Sequence, residues 1–253
     1  MEKTYENYVE GIRIVPGMWR PHFPWEQIAW VSPPWPSQDY LWLDFPEAIF
    51  TDQGLLFLSH VNPKFPQMFG ESLRKVPWHS VEGGIAFERD LPNGVVFGGS
   101  VVKTSDTTVG IGLFLKNGTS SPIAKIQLQT CVFLRAIKEF ADYTMSNKYV
   151  HVPGKGWLKW DDAMAVEGEP GKYRLGFRGG PYKADEPKMI ALSNEAPRCV
   201  SMTWFDDTNT LVGNPRHPCM HADPKFRDLD SGEEATIKGE LRFSEELPEG
   251  LGG

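Results

Sequence analysis

The segment from residue 83 to residue 133 restricts the fold more than any other part of the chain. It holds four apolar runs of strand length, and between them stand the turn signals Pro92-Asn93-Gly94, Ser105-Asp106 and Asn117-Gly118. Alternate positions from Val109 to Leu115 are apolar, which is the period-two pattern of a strand with one buried face. The segment therefore predicts an antiparallel meander of four strands.

Composition extends the β prediction to the whole chain. Its 253 residues include 21 Pro, 25 Gly and 9 Trp, and further strand-like runs continue to residue 244. The best helix candidate is residues 133 to 144, "FLRAIKEFADYT", where apolar residues form one stripe. We predict an all-β protein: one antiparallel β-sandwich domain over residues 1–253, with one short connecting helix. A Trp/Pro-rich arm, residues 1–50, is expected to pack on it.

Charge and motifs exclude several classes of function. The chain has 33 acidic and 26 basic residues, and its net charge of -7 favours neither nucleic acid nor an anionic membrane as a partner. Three cysteines and an N-terminus without signal-peptide character predict a cytoplasmic location, unless a signal has been removed. The sequence lacks a phosphate-binding glycine loop, H-E-x-x-H, G-x-S-x-G and paired C-x-x-C motifs.

Two passages resemble a known family. "GGSVVKTSDTTVGIGLFLKNGTSSPIAKIQLQTCVFL" is similar to the paired strands of galactose-mutarotase-like β-supersandwich proteins, whose core meander ends in N-x-(S/T)-x-x-P. Asn117, Thr119 or Ser120, and Pro122 supply that signature here. "DLDSGEEATIKGELRF" resembles the closing turn and strand of the same superfamily, with the turn at 228–232. The resemblance implies a sandwich of the supersandwich type with a sugar-sized cleft, whose natural partner is a carbohydrate.

The sequence departs from this family where catalysis is concerned. In mutarotases the strand after the signature proline brings a histidine to the cleft, but residues 127–133, "QLQTCVF", contain none. The general-acid His and general-base Glu of the family are therefore not carried over to any residue of this chain. Gln129, on the strand that would enter the cleft, is a candidate substrate-binding residue.

The segment "NPRHPCMHADP", residues 214–224, is the densest group of reactive side chains. His217, Cys219, His221 and Asp223 occupy every second position, so an extended backbone projects them to one side. Imidazole, thiolate and carboxylate all bind metals, and His217, His221 and Asp223 are candidate ligands for a divalent ion. Alternate side chains of a straight strand lie roughly 6 to 7 Å apart, so two of them plus a distant residue is the realistic set of ligands. Because prolines stiffen the segment, we expect a loop that offers one or two histidines to the cleft. The alternative is the same stiff loop with structural histidines and a buried Cys219.

Other residues are candidates for acid, base or charge-neutralising roles. They are His60 at a strand end, the pair His79 and Glu82 in a loop before a strand, His151 in "KYVHV", and Arg135 in the helix candidate. Loops on a rigid β scaffold often supply catalytic groups, and arginine suits a sugar-acid carboxylate. Each has a structural alternative: a satisfied strand-end histidine, an exposed loop, a half-exposed sheet position, and a solvated helix face.

The segment "WPSQDYLWLDF" offers the side chains expected in a sugar-binding groove. Aromatic rings stack on the apolar faces of pyranoses while polar neighbours bond the hydroxyl groups. The candidate substrate-binding residues are Trp35, Gln38, Asp39, Tyr40 and Trp42. The alternative is that these aromatic residues belong to the core of the sandwich.

We predict a carbohydrate-active enzyme that transfers a proton at a sugar carbon or glycosidic oxygen, as a lyase, an epimerase or a related glycoside-processing enzyme. His217, His221 and His60 are the first candidates for catalysis. A divalent metal ion is a candidate cofactor, and exposed edge strands make a homodimer reasonable. The competing hypothesis is a non-catalytic carbohydrate-binding or assembly module.

Overall fold

The structure is a computed structural model, and it describes residues 10–69, 72–177, 179–214 and 217–251. In chain order the strands are β1 (Ile14–Gly17), β2 (Ile28–Val31), β3 (Leu41–Thr51), β4 (Gly54–Leu58), β5 (His79–Val81), β6 (Gly84–Asp90), β7 (Val96–Lys103), β8 (Thr108–Lys116), β9 (Gln127–Phe133), β10 (Lys148–Val152), β11 (Gly156–Lys159), β12 (Tyr173–Leu175), β13 (Tyr182–Ala184), β14 (Lys188–Leu192), β15 (Cys199–Thr203), β16 (Thr208–Asn214), β17 (Cys219–Pro224) and β18 (Glu234–Ser244). A six-residue α-helix, α1, spans Trp160–Ala165.

The strands form two nine-stranded sheets, and the pairings between described strands are antiparallel except that of β12 with β16. The first sheet has the order β1-β2-β3-β9-β17-β16-β12-β13, with β4 also paired to β3. The second sheet has the order β11-β10-β14-β15-β18-β8-β7-β6-β5. The predicted β-sandwich class is thus confirmed.

The core lies between the two sheets and is largely aromatic and aliphatic. Phe45 of β3 stacks on Trp204 at 5.9 Å between ring centroids, and Phe57 of β4 contacts Phe97 of β7 at 4.9 Å. All four rings are buried. Each sheet contributes only alternate residues to this core. The opposite face of each sheet is therefore free to carry polar side chains.

The meander prediction is correct for three strands and wrong for the fourth. β6, β7 and β8 are consecutive neighbours in the second sheet, but β8 pairs next with β18. β9 crosses to the first sheet, where it lies between β3 and β17. The connection after β8 carries the Asn117 side chain, which donates to the carbonyls of Ser121 and Leu229 and fixes the crossing.

The helix predicted over residues 133–144 is not formed. Two 3-10 turns, Leu134–Ala136 and Lys138–Phe140, flank Ile137, which has extended dihedral angles. The apolar residues at 134, 137 and 140 recur every three positions, which aligns them in a 3-10 geometry as well as in an α-helix. The short helix of the chain is α1 instead, at the end of β11.

The Trp/Pro-rich arm is built into the first sheet, since β1, β2 and β3 arise from it. Trp35 is only 5% exposed, and its indole N–H donates to a carboxylate oxygen of Glu139 at 2.6 Å. The other oxygen of Glu139 accepts from the Ser193 hydroxyl at 2.9 Å. This buried carboxylate therefore connects the N-terminal segment to the loop after β14.

The segment 214–224 is largely a strand and not the expected loop. Residues Cys219–Pro224 form β17, a wholly buried strand between β9 and β16, while Pro215 and Arg216 lie outside the described residues. His217 and Pro218 belong to the turn that precedes it. Cys219, His221 and Asp223, which alternate in the sequence, thus lie on one face of this sheet.

No described helix has the length and apolar character needed to cross a bilayer.

Replacing Trp35 by Phe tests how strongly the Glu139 carboxylate holds the N-terminal segment in place. The substitution removes a hydrogen bond to a charged, buried acceptor, and we expect the free energy of unfolding to fall by ~1.5–3 kcal/mol, measured by urea denaturation. Trp160→Phe is the matched control, because its buried indole nitrogen has no partner among the described residues. Equal losses in both variants would show that ring packing alone matters at position 35.

Candidate functional site

A cavity of about 730 Å³ lies on the face of the first sheet that points away from the second sheet. Two strands supply its floor through alternate residues. On β9, Gln129, Cys131 and Phe133 point into the cavity, while Leu128 and Val132 enter the core. Cys219 and His221 of β17 lie beside them. The period-two geometry of the sheet is thus what brings these side chains to one surface.

A bulge in β3 delivers a carboxylate to the cavity. Asp44 pairs with Cys131 and Ala48 pairs with Gln129, so three residues of β3 stand opposite the single residue Thr130. Pro46 lies within this interruption, in keeping with the restriction of proline to bulges and edges of sheets. The extra length turns Glu47 toward the cavity.

An arginine network closes one side of the cavity. The Arg20 guanidinium pairs with Asp44, donates to Ser59 Oγ at 3.0 Å and bonds Glu26 at 2.9 Å. Glu26 in turn accepts from the backbone N–H of Trp19 at 2.7 Å. Burial raises the pKa of Asp44 to about 6 even though Arg20 opposes the shift. The network therefore holds a cation and two carboxylates at the edge of a largely apolar space.

Three titratable groups converge at this side. Oxygen and nitrogen atoms of Asp44, Glu47 and His60 lie within 4.8 Å of one another. Burial raises the pKa of Glu47 to about 7 against the opposing effect of His221. Burial, together with Arg20, lowers the pKa of His60 to about 4. At neutral pH the His60 ring is thus uncharged and offers one nitrogen as an acceptor.

A second cluster lies on the floor, where the donor atoms of Cys131, Cys219 and His221 also fall within 4.8 Å of one another. Cys219 Sγ is 3.5 Å from His221 Nε2, and His221 Nδ1 is 3.3 Å from an oxygen of Asp223. Burial disfavours a charged imidazole, but Asp223 and Cys219 outweigh it and hold the pKa of His221 well above its ordinary value. The hydrogen bond with Cys131 holds the pKa of Cys219 well below its usual range.

Aromatic side chains form the walls and the rim. Trp19 packs on Phe133 at 4.4 Å between ring centroids, and Arg20 lies 4.2 Å over the Trp19 ring. Phe177 meets the His221 ring edge-on at 6.0 Å. Phe65, in the loop after β4, lines the cavity and is 59% exposed. The cavity thus combines flat apolar surfaces with a few charged and polar groups.

The structure brings together four of the residues proposed from the sequence: His60, Gln129, His217 and His221. His217 is exposed at the rim, with its ring 5.9 Å from Phe133. Asp223 contacts His221 from the ring nitrogen opposite the thiol, so among the described residues the compact ligand group contains the two cysteines in place of His217 and Asp223.

Four other catalytic candidates lie elsewhere. His79 and Glu82 are exposed on the β5–β6 hairpin, at the edge of the second sheet. His151 is on β10 of the second sheet, where its Nδ1 lies 2.6 Å from an Asp185 oxygen. Arg135 is exposed in a 3-10 turn. None of these four belongs to the described lining of the cavity.

The five candidates from the Trp-rich segment also lie outside this lining. Trp35 is a core residue, and Asp39 accepts from the backbone N–H of Lys138 at 2.9 Å. Trp42 stacks between Trp30 and Phe133, at 5.9 and 6.3 Å. Gln38 is exposed and Tyr40 is half-buried at 6.4 Å from Trp30. Trp35 thus belongs to the core, as the alternative interpretation of this segment has it. Trp42 packs behind Phe133, which forms part of the cavity wall.

Sequence reasoning missed Arg20, Glu47, Cys131 and Trp19. Glu47 carried a usable signal, because a proline inside a strand of this length indicates a bulge that turns a neighbouring side chain outward. Arg20 and Cys131 carried none, since their roles depend on partners 24 and 90 positions away, Asp44 and His221.

Comparisons with known proteins add little to this geometry. No protein-family model matches the chain, and no curated protein matches it. Among solved structures the chain is similar to a GalM/aldose epimerase homologue from C. elegans, at 10% identity and a TM-score of 0.41, covering 80% of this chain and 79% of that one. It is also similar to a TPR-domain containing protein from Parabacteroides distasonis, at 7% identity and a TM-score of 0.44, covering 96% of this chain and 54% of that one.

Replacing Arg20 by Met tests the network that closes the cavity. Asp44, whose side chain is 3% exposed, would stay buried without the cation that opposes the rise of its pKa, and we expect a loss of ~3–5 kcal/mol in the free energy of unfolding. Adding Asp44→Asn to this variant should recover part of the loss in urea denaturation. Arg13→Met, at an exposed arginine, is the control and should change little. A small effect of Arg20→Met would mean that Asp44 is stable without the guanidinium.

Proposed function

We propose that this protein is a carbohydrate-active enzyme whose cavity binds a sugar-sized ligand and transfers a proton on it through Glu47 and His60. The observation that carries the proposal is the convergence of this carboxyl–imidazole pair, within 4.8 Å, at a cavity walled by aromatic rings. Epimerisation, elimination and anomeric interconversion all require one acidic and one basic group that act on the same small ligand.

The size and lining of the cavity support a sugar as the ligand. Its volume of about 730 Å³ lies inside the range of small-molecule sites. Trp19, Phe65 and Phe177 offer flat faces for the C–H surface of a pyranose, while Gln129 and Asn62 offer hydrogen bonds to hydroxyl groups. Arg20 also lines the cavity, where its guanidinium, held by Asp44 and Glu26, is a donor that suits a uronic acid carboxylate.

The two groups take different roles under this proposal. His60 is the acceptor for a proton from the ligand, because its ring is neutral and half-buried. Glu47 is the second proton-transfer group, within 4.8 Å of His60, and His221, with Nδ1 4.0 Å from a Glu47 oxygen, positions it from beneath. The competing function is a non-catalytic sugar-binding module. Such a module would bind sugar through the same aromatic rings and would not use Glu47 and His60 for proton transfer.

Binding is tested with a panel of mono- and oligosaccharides, uronic acids included, through the melting temperature of the full chain. A ligand at one hundred times its Kd stabilises the native state by about 2.7 kcal/mol, so a true ligand should raise the melting temperature clearly. Trp19→Ala should remove the shift, and Trp157→Ala, on β11 of the second sheet, should retain it. A panel in which no sugar raises the melting temperature would contradict a carbohydrate function.

Catalysis is tested on the sugars that bind, by proton NMR in D₂O. One spectrum reports anomeric interconversion, loss of a carbon-bound proton to deuterium, and the vinylic proton of an elimination product. We expect Glu47→Gln and His60→Gln each to lower turnover by at least ~100-fold while the sugar still binds. Glu82→Gln and His79→Gln change the same residue types on the β5–β6 hairpin and should keep full turnover. Binding without any turnover in the unsubstituted protein would favour the non-catalytic module.

A further inference from the structure

We infer that Cys131, Cys219 and His221 form a binding site for a divalent zinc-class ion in the floor of the cavity. This inference goes beyond the proposed function and does not depend on it, because metal binding is measured without a sugar. Two thiols and one imidazole are donors that favour zinc over the hard cations, whose ligands are oxygens.

The pairing of two strands brings the three donors together. Cys131 on β9 is the cross-strand partner of His221 on β17, and Cys219 stands two residues before His221 on the same face. Cys219 Sγ and His221 Nε2 lie 3.5 Å apart. Zn–S and Zn–N bonds of roughly 2.3 and 2.0 Å at a tetrahedral angle place sulfur and nitrogen about 3.5 Å apart. Cys219 and His221 therefore stand at the spacing of ligands to one ion, and the Cys131 thiol lies within 4.8 Å of both.

A carboxylate already orients the imidazole for this role. Asp223 contacts Nδ1 of His221 at 3.3 Å, which directs Nε2 toward the thiols. The same Asp223 oxygen accepts from the Thr130 backbone N–H at 2.9 Å, so the carboxylate is itself fixed. Metal-binding histidines commonly make this contact through the second ring nitrogen, and it sets their tautomer.

The position of the trio leaves room for a fourth ligand. Each of its three residues is buried to within 5% exposure, yet all three line the cavity, so the remaining direction opens onto the space that a ligand would fill. Three protein ligands and one open position are the arrangement of catalytic zinc sites, whereas structural sites use four protein ligands. Cys199, the third cysteine, is buried in the second sheet and belongs to no such group among the described residues.

Spectroscopy of the Co²⁺-loaded full chain tests the inference. Reduced, metal-free protein titrated with Co²⁺ should develop thiolate-to-cobalt charge-transfer absorption and intense tetrahedral d–d bands at one ion per chain, and Zn²⁺ should abolish both. These bands report thiolate ligation in the unsubstituted chain, so the test does not depend on variants that fold poorly. Zn²⁺ should also raise the melting temperature.

Variants then assign the ligands. Cys131→Ser and Cys219→Ser should each remove most of the charge-transfer absorption, and Cys199→Ser is the matched control that should retain all of it. Asp223→Asn should keep the band but weaken affinity by ~10–100-fold, as loss of an orienting partner does. Absence of the bands, their persistence in both serine variants, or a Cys131–Cys219 disulfide that resists reduction would each overturn the site.

Discussion

The pairing of β3 with β9 is the interaction on which the rest of the site depends. One edge of β3 holds β2 and β4, while the other holds β9 across a bulge opposite Thr130. The pairing sets Asp44 beside Cys131, and the bulge turns Glu47 into the cavity. In a regular strand Glu47 would face the core together with Phe45 and Ile49, because alternate residues share a face. The position of Glu47 in the acid–base pair and the position of Cys131 in the thiol cluster thus both depend on how β3 pairs with β9.

Much of the architecture could be predicted from the sequence, because period-two patterns and turn residues are local. The hairpin around residues 52–54 and the strands β6, β7 and β8 follow from such patterns alone. The alternation of Cys219, His221 and Asp223 also holds, as one face of β17. The loop proposed for that segment fails because Pro218 and Pro224 stand at the two ends of a buried strand, where proline is tolerated. The helix predicted over residues 133–144 is wrong because apolar residues spaced three apart fit both an α-helix and a 3-10 helix.

The site itself could be predicted only in part, because its partners come from distant parts of the chain. His60, Gln129, His217 and His221 were found through residue type, and the fold decides that they share one cavity. The same chemical types at His79, Glu82 and His151 lie on the second sheet, and nothing local distinguishes them. The crossing of β9 between sheets is the decisive event, and it depends on the side chain of Asn117, whose carbonyl partners lie 4 and 112 positions away.

Asp223 has a consequence for how the sheet and the site are linked. The pairing of β17 with β9 ends at His221 and Cys131, and beyond it the Asp223 carboxylate takes the Thr130 N–H that would otherwise meet a backbone carbonyl. The carboxylate is therefore a capping group for the end of a ladder and an anchor for an imidazole at once. Asp223 thus couples the position of the His221 ring to the hydrogen bonding of β9, so a ligand that displaces the imidazole would also strain the bond to Thr130.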